Sequence, residues 1–140
     1  MNETNTNSKP SQNMRMIRYY LPAMGWIILI LFLCTMPGSS LPSSSLFDQL
    51  HVDKIVHFFL FGGTVILLAY GYYRQRQGIS GWALLAIALV AGLYGLIIEF
   101  IQKYFTVNRS FEIMDVAADT AGALMGALIF QVIGKRVLKK

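Results

Sequence analysis

Four stretches of about twenty residues, each nearly free of charge, occupy most of this chain and leave few folds open to it. They run over roughly 17–36, 54–73, 82–101 and 113–133. A helix rises about 1.5 Å per residue, so each stretch is long enough to cross roughly 30 Å of hydrocarbon. Inside lipid the backbone must satisfy its own hydrogen bonds, so an apolar stretch of this length reads as a helix. The predicted fold is therefore all-α, an integral membrane bundle of four helices. Composition agrees: 55% of the 140 residues are hydrophobic and 14% charged, too apolar for a water-soluble domain of this size.

Residues 1–14 (MNETNTNSKPSQNM) are polar and carry no apolar face to bury, so they read as a disordered tail before a single membrane domain over 15–140. The first apolar run is longer than a signal-peptide core of roughly 7 to 15 residues, and no Ala-x-Ala site follows it, so it reads as an uncleaved anchor. Residues 37–52 hold two prolines, five serines and a glycine, the composition of a loop. Arg74-Gln75-Arg76-Gln77-Gly78 makes a short polar turn.

Basic residues set the orientation. Lys9, Arg15, Arg18, Arg74, Arg76, Lys135, Arg136, Lys139 and Lys140 lie on one side, and only Lys54, Lys103 and Arg109 on the other. The positive-inside rule then predicts both termini in the cytoplasm. A net charge of +5 built from such flanking clusters argues against nucleic acid as a partner and for the membrane lipid. The acids divide the opposite way: Asp48, Asp53, Glu99, Glu112, Asp115 and Asp119 fall at the outer side and only Glu3 inside. The single cysteine, Cys34, excludes an internal disulfide, and Leu31-Phe32-Leu33 before it lack the small residue of a lipoprotein site, so it reads as a buried apolar side chain. Tyr19, Tyr20, Trp26, Trp82 and Tyr104 read as interfacial or packed aromatics.

Charged groups in a span cost roughly 2.5 to 3.5 kcal/mol at mid-membrane, so those present call for partners or a role. Asp53 and His57 are four apart, on one side of one turn, and Thr64 continues that side. Gly92, Gly95, Glu99 and Gln102 form one stripe in the third span, and Glu112, Asp115, Asp119, Gly122 and Gly126 a second in the fourth. Glycine stripes let two helices approach closely, which would gather the polar ends above them. The expected cluster contains His57, Glu99, Gln102, Asp115, Asp119 and, from the loop between the last two spans, Arg109. His57, Glu99 and Asp115 are the candidate catalytic groups; Arg109, Gln102, Asp53 and Asp119 are the candidate binding groups. Arg109 is the natural counter-ion, because its planar fork takes carboxylate or phosphate and keeps its charge. The plain alternative is a set of salt bridges and snorkelling carboxylates that fixes loop geometry. No phosphate-cradling loop, His-Glu-x-x-His or nucleophile elbow is present.

Asp53-Lys54-x-x-His57-Phe58, Glu99-x-x-Gln102, and Arg109-Ser110-Phe111-Glu112-x-x-Asp115-x-x-x-Asp119-Thr120-x-Gly122-x-x-x-Gly126 together resemble the VanZ-like family of bacterial membrane proteins. The likeness covers about 17–133. It implies a four-span bundle in the bacterial cytoplasmic membrane and a link to glycopeptide resistance, the property for which the family is named. The chain departs from the family pattern at Glu112, usually Asp, and at Asp119, usually Asn; the second change adds a negative charge beside Asp115.

Two function classes follow. In the first, the outer site binds or processes an anionic lipid-linked headgroup or cell-wall precursor, with Arg109 on the phosphate and His57 or Glu99 as acid or base. The cofactor is left open; a divalent metal held by the carboxylates and His57 is one version, without a specific ligand motif. In the second, the protein is a non-enzymatic scaffold or transporter component and the polar cluster serves assembly. Polar groups near one face, with Leu, Ile, Val, Ala and Gly at mid-span, disfavour a simple transport path.

Overall fold

The structure is a computed structural model that describes residues 12–37 and 52–138. Helix α1 spans Gln12–Cys34, α2 Val52–Arg76, α3 Gly81–Phe105 and α4 Ile113–Ile129. A five-residue π-helical turn, Phe130–Gly134, and a last helical turn, α5 (Lys135–Leu138), prolong α4. No strand occurs among the described residues. Four segments are long and apolar enough to cross a membrane: Ile17–Cys34, Val52–Arg76, Gly81–Phe105 and Ile113–Leu138. A helix of 25 residues such as α2 or α3 is roughly 37 Å long, enough to span the hydrocarbon with its ends in the interfaces. Helix α1 starts at Gln12, inside the segment read as a tail; residues 1–11, the loop over 38–51 with Asp48, and 139–140 lie outside the described residues.

Local chemistry sets the helix ends. Gln77 adopts a left-handed φ of 56° and closes α2, and Ser80 opens α3 by accepting the Ala83 N–H at 3.1 Å through its hydroxyl. Asn108, at φ 57°, turns the chain between α3 and α4; asparagine tolerates that region better than most residues.

Helix α2 packs against α1, α3 and α4. Ile30, Phe61, Val65, Ile98 and Ala123 form one buried cluster, and Ala69, Ile79, Leu84 and Phe130 a second toward the 74–78 turn. Much of the remaining apolar surface points outward: Phe59, Leu89, Val90 and Leu128 are exposed, as are Trp82 and Phe105 at opposite ends of α3. Lipid is the solvent that suits such a surface. Apolar side chains gain little by leaving lipid for one another, so close packing and interhelical hydrogen bonds must hold the bundle. Trp26 Nε1–H donates to the Leu60 carbonyl at 2.9 Å, and the Tyr94 hydroxyl to the Ile27 carbonyl at 3.0 Å.

The glycine stripes act differently from the expectation. They do not face each other. A Cβ on Gly122 would run into the Phe58 carbonyl, and one on Gly126 into the Gly62 carbonyl, so the fourth span uses its glycines to lie backbone to backbone on α2. Gly92 and Gly95 of α3 face Thr120 and Asp119 of α4, and the Asp119 carboxylate fills the space a side chain at 95 would need. The reason is geometric: α4 presents one face to α2 and another to α3, and its glycine and carboxylate positions divide between them.

Candidate functional site

Antiparallel packing brings the start of α2, the end of α3 and the start of α4 to one end of the bundle. His57, Glu99, Gln102, Asp115 and Asp119 are all buried there, in a bundle whose other buried side chains are mostly apolar. His57 Nδ1 stands 2.9 Å from Asp119 Oδ1, and the imidazole stacks near the Phe61 ring. Asp119 Oδ2 has no hydrogen-bond partner among the described residues. Glu99 accepts the backbone N–H of Glu112 through Oε2 at 2.8 Å, while its Oε1 is buried and unpartnered. That bond ties the end of α3 to the residue that opens α4. His57, Glu99 and Asp115 each offer one donor atom to a group that fits within 4.8 Å.

The counter-ion is not the residue expected. Lys54 Nζ reaches Asp53 Oδ2 at 2.9 Å, Glu112 Oε2 at 2.8 Å and Asp115 Oδ1 at 2.9 Å. Arg109 forms no ion pair with a described carboxylate, and its Nε is buried without a partner among the described residues. Lys54 precedes His57 by three positions and so shares its helical face, directed at α4. Arg109 instead follows the Asn108 turn. The signal for Lys54 was in the sequence, since Asp53 and His57 bracket it. The positive-inside count uses Lys54 only for orientation and so passes over its place among the carboxylates.

Two other candidates take different places. Gln102 Nε2 donates to the Cys34 carbonyl at 3.0 Å, so its amide nitrogen fastens the end of α1. Asp53 is exposed and touches Lys54 at the rim of the cluster. Thr64 is buried and donates to the Leu60 carbonyl of its own helix. Thr106 Oγ1, which the sequence reading did not single out, is buried at the end of α3 without a partner among the described residues.

Residues 2–134 match the VanZ/LLP1 family. The chain belongs to that family. It is a VanZ-like membrane protein, and the resemblance read from the motifs at 53–58, 99–102 and 109–126 agrees with the match. No curated protein and no solved structure gives a significant match. Within the VanZ/LLP1 chain the three motifs lie on different helices, and those helices meet at one end of the bundle.

Chemically, the end of the bundle combines a buried imidazole–carboxylate pair, a lysine shared by three carboxylates, and polar atoms without partners among the described residues. Buried polar groups are nearly always satisfied, so four atoms without a partner among the described residues (Glu99 Oε1, Thr106 Oγ1, Arg109 Nε and Asp119 Oδ2), on neighbouring elements, call for an explanation beyond packing.

Proposed function

We propose that this is a bacterial cell-envelope membrane protein, with both termini in the cytoplasm, whose outer face binds an anionic, phosphate-bearing lipid headgroup or lipid-linked cell-wall precursor. The observation that supports this most is the buried Nε of Arg109, which lacks an acceptor among the described residues although carboxylates crowd the same end of the bundle. A guanidinium with no carboxylate partner among the described residues suits a phosphate, which it can hold with two parallel hydrogen bonds. His57, Glu99 and Asp115 are the groups placed to act on the bound headgroup, and Asp119 orients the imidazole. Gln102 and Asp53 border the site.

The test is lipid binding by the purified full chain, read by native mass spectrometry with phosphatidic acid against phosphatidylcholine. The wild type retains phosphatidic acid in preference, and Arg109→Ala loses the preference by about tenfold, the effect of a lost charge-assisted contact. Equal retention by wild type and Arg109→Ala sinks the anion site. Orientation is checked by reporter fusion at the C-terminus, which is active on the cytoplasmic side. The family likeness extends the reading to glycopeptides: deleting the gene lowers teicoplanin tolerance, and unchanged tolerance removes that role.

The Lys54 network favours a second reading. One cation bridging Asp53 and Glu112, with Asp115, fastens α2 to α4 without any ligand. In that reading the polar end is an assembly device, and His57→Ala and Glu99→Gln proteins that insert stably keep every wild-type phenotype.

A further inference from the structure

The outer end carries a charge problem that the ion pairs among its described residues do not solve. Asp53, Glu99, Glu112, Asp115 and Asp119 stand together, and Lys54 satisfies one oxygen each of Asp53, Glu112 and Asp115. Glu99 and Asp119 are fully buried, and each keeps one oxygen with no partner among the described residues. Burying a carboxylate oxygen away from water without a donor is costly, and the cost falls when a cation stands beside it. An anionic headgroup approaching this end would meet the same uncompensated field.

We propose that His57, Glu99 and Asp115 hold a divalent transition-metal cation, with Asp119 as the residue that orients its histidine ligand. The three residues come from three helices and are all buried, and one donor atom of each lies within 4.8 Å of the others. Donors about 2.1 Å from a zinc ion stand about 3.4 Å apart in a tetrahedral site, so small side-chain rotations close the group around a cation. Glu99 brings the free oxygen: Oε2 is engaged by the Glu112 N–H and Oε1 has no partner among the described residues. Asp115 gives Oδ1 to Lys54 and keeps its second oxygen. His57 has Nδ1 committed to Asp119, so a metal would take Nε2, in place of the contact that the Cys34 side chain also makes with the imidazole. A carboxylate behind a ligating imidazole is the usual outer-sphere arrangement of a histidine–metal site, fixing the tautomer and the ring plane.

One imidazole with two carboxylates is a mixed nitrogen and oxygen donor set, suited to Zn²⁺ or Mn²⁺ better than to Mg²⁺ or Ca²⁺, which prefer oxygen alone. Three protein donors leave coordination positions open. This inference rests on the headgroup reading only for what fills them: the open positions would take phosphate oxygens, so the cation turns a field that repels the headgroup into one that attracts it.

The test is metal binding by the purified full chain in detergent, stripped with chelator and dialysed against Zn²⁺ and, separately, Mn²⁺, with bound metal counted by elemental analysis. The wild type takes up about one cation per chain. His57→Ala and Glu99→Gln weaken binding at least about tenfold, Asp119→Asn weakens it less, and Lys103→Gln, on the exposed end of α3, binds as wild type does. Helical circular dichroism and a monodisperse elution profile show which variants are folded. Pulsed EPR of the Mn²⁺-loaded wild type needs no variant, and shows nitrogen coupling from a bound imidazole. No stoichiometric uptake, unchanged affinity in folded His57→Ala and Glu99→Gln, or no nitrogen coupling overturns the site. Metal uptake without preference for phosphatidic acid leaves the cation site standing and removes the headgroup, and the converse result does the reverse.

Discussion

His57 Nδ1 lies 2.9 Å from Asp119 Oδ1 across the α2–α4 contact, with both side chains buried. The two residues are 62 positions apart, and each would be an uncompensated polar group in an apolar bundle without the other. A double-mutant cycle therefore shows coupling. His57→Ala and Asp119→Ala each destabilise the bundle, and the double variant loses less than the sum, with a coupling of about 1 to 2 kcal/mol. Reversible unfolding in mixed micelles measures it, and additive losses would show that the contact carries no energy.

The Lys54 network separates buried from exposed partners. Glu112 is 47% exposed at its side chain, Asp115 4%. Glu112→Gln costs under about 1 kcal/mol, as exposed ion pairs do. Lys54→Met strands the buried Asp115 carboxylate and costs about 3 kcal/mol or more. The same unfolding assay compares them, and equal losses would contradict the assignment of Asp115 as the partner that matters.

Glycine positions give a steric test. Gly122→Ala puts a methyl group into the Phe58 carbonyl and pries α4 from α2, lowering stability by about 1 to 3 kcal/mol. Gly25→Ala meets nothing within 4 Å and stays within about 0.5 kcal/mol of wild type. Thermal melts followed by helical circular dichroism decide between them, and a tolerant Gly122→Ala would mean the backbones do not touch.

Cys34 reports on the end of α1. It is the single thiol in the chain, it is 4% exposed, and its carbonyl accepts from Gln102. Gln102→Ala removes that bond, worth about 1 kcal/mol, and lets the last turn of α1 open more often. Maleimide labelling of Cys34 speeds up roughly fivefold, the factor that corresponds to such a loss. Unchanged labelling would mean that the amide does not fasten the helix.

Hydrophobic run length determined four membrane-crossing helices from sequence alone, because the hydrocarbon thickness and the helical rise leave one length that fits. Position near the ends of runs that alternate in direction likewise placed His57, Glu99, Asp115 and Asp119 at one end, and residues three, four and seven apart put each on one face of its helix. Only tertiary structure decided which faces meet. The glycines of α4 went to the α2 backbone and those of α3 to Asp119 and Thr120, and Lys54 rather than Arg109 became the cation among the carboxylates. Periodicity fixes the side of a helix on which a residue lies; the partner on that side follows from the rotation and crossing of neighbouring helices. Those are set by backbone contacts between segments some sixty residues apart, such as Gly122 on Phe58, which no local pattern encodes.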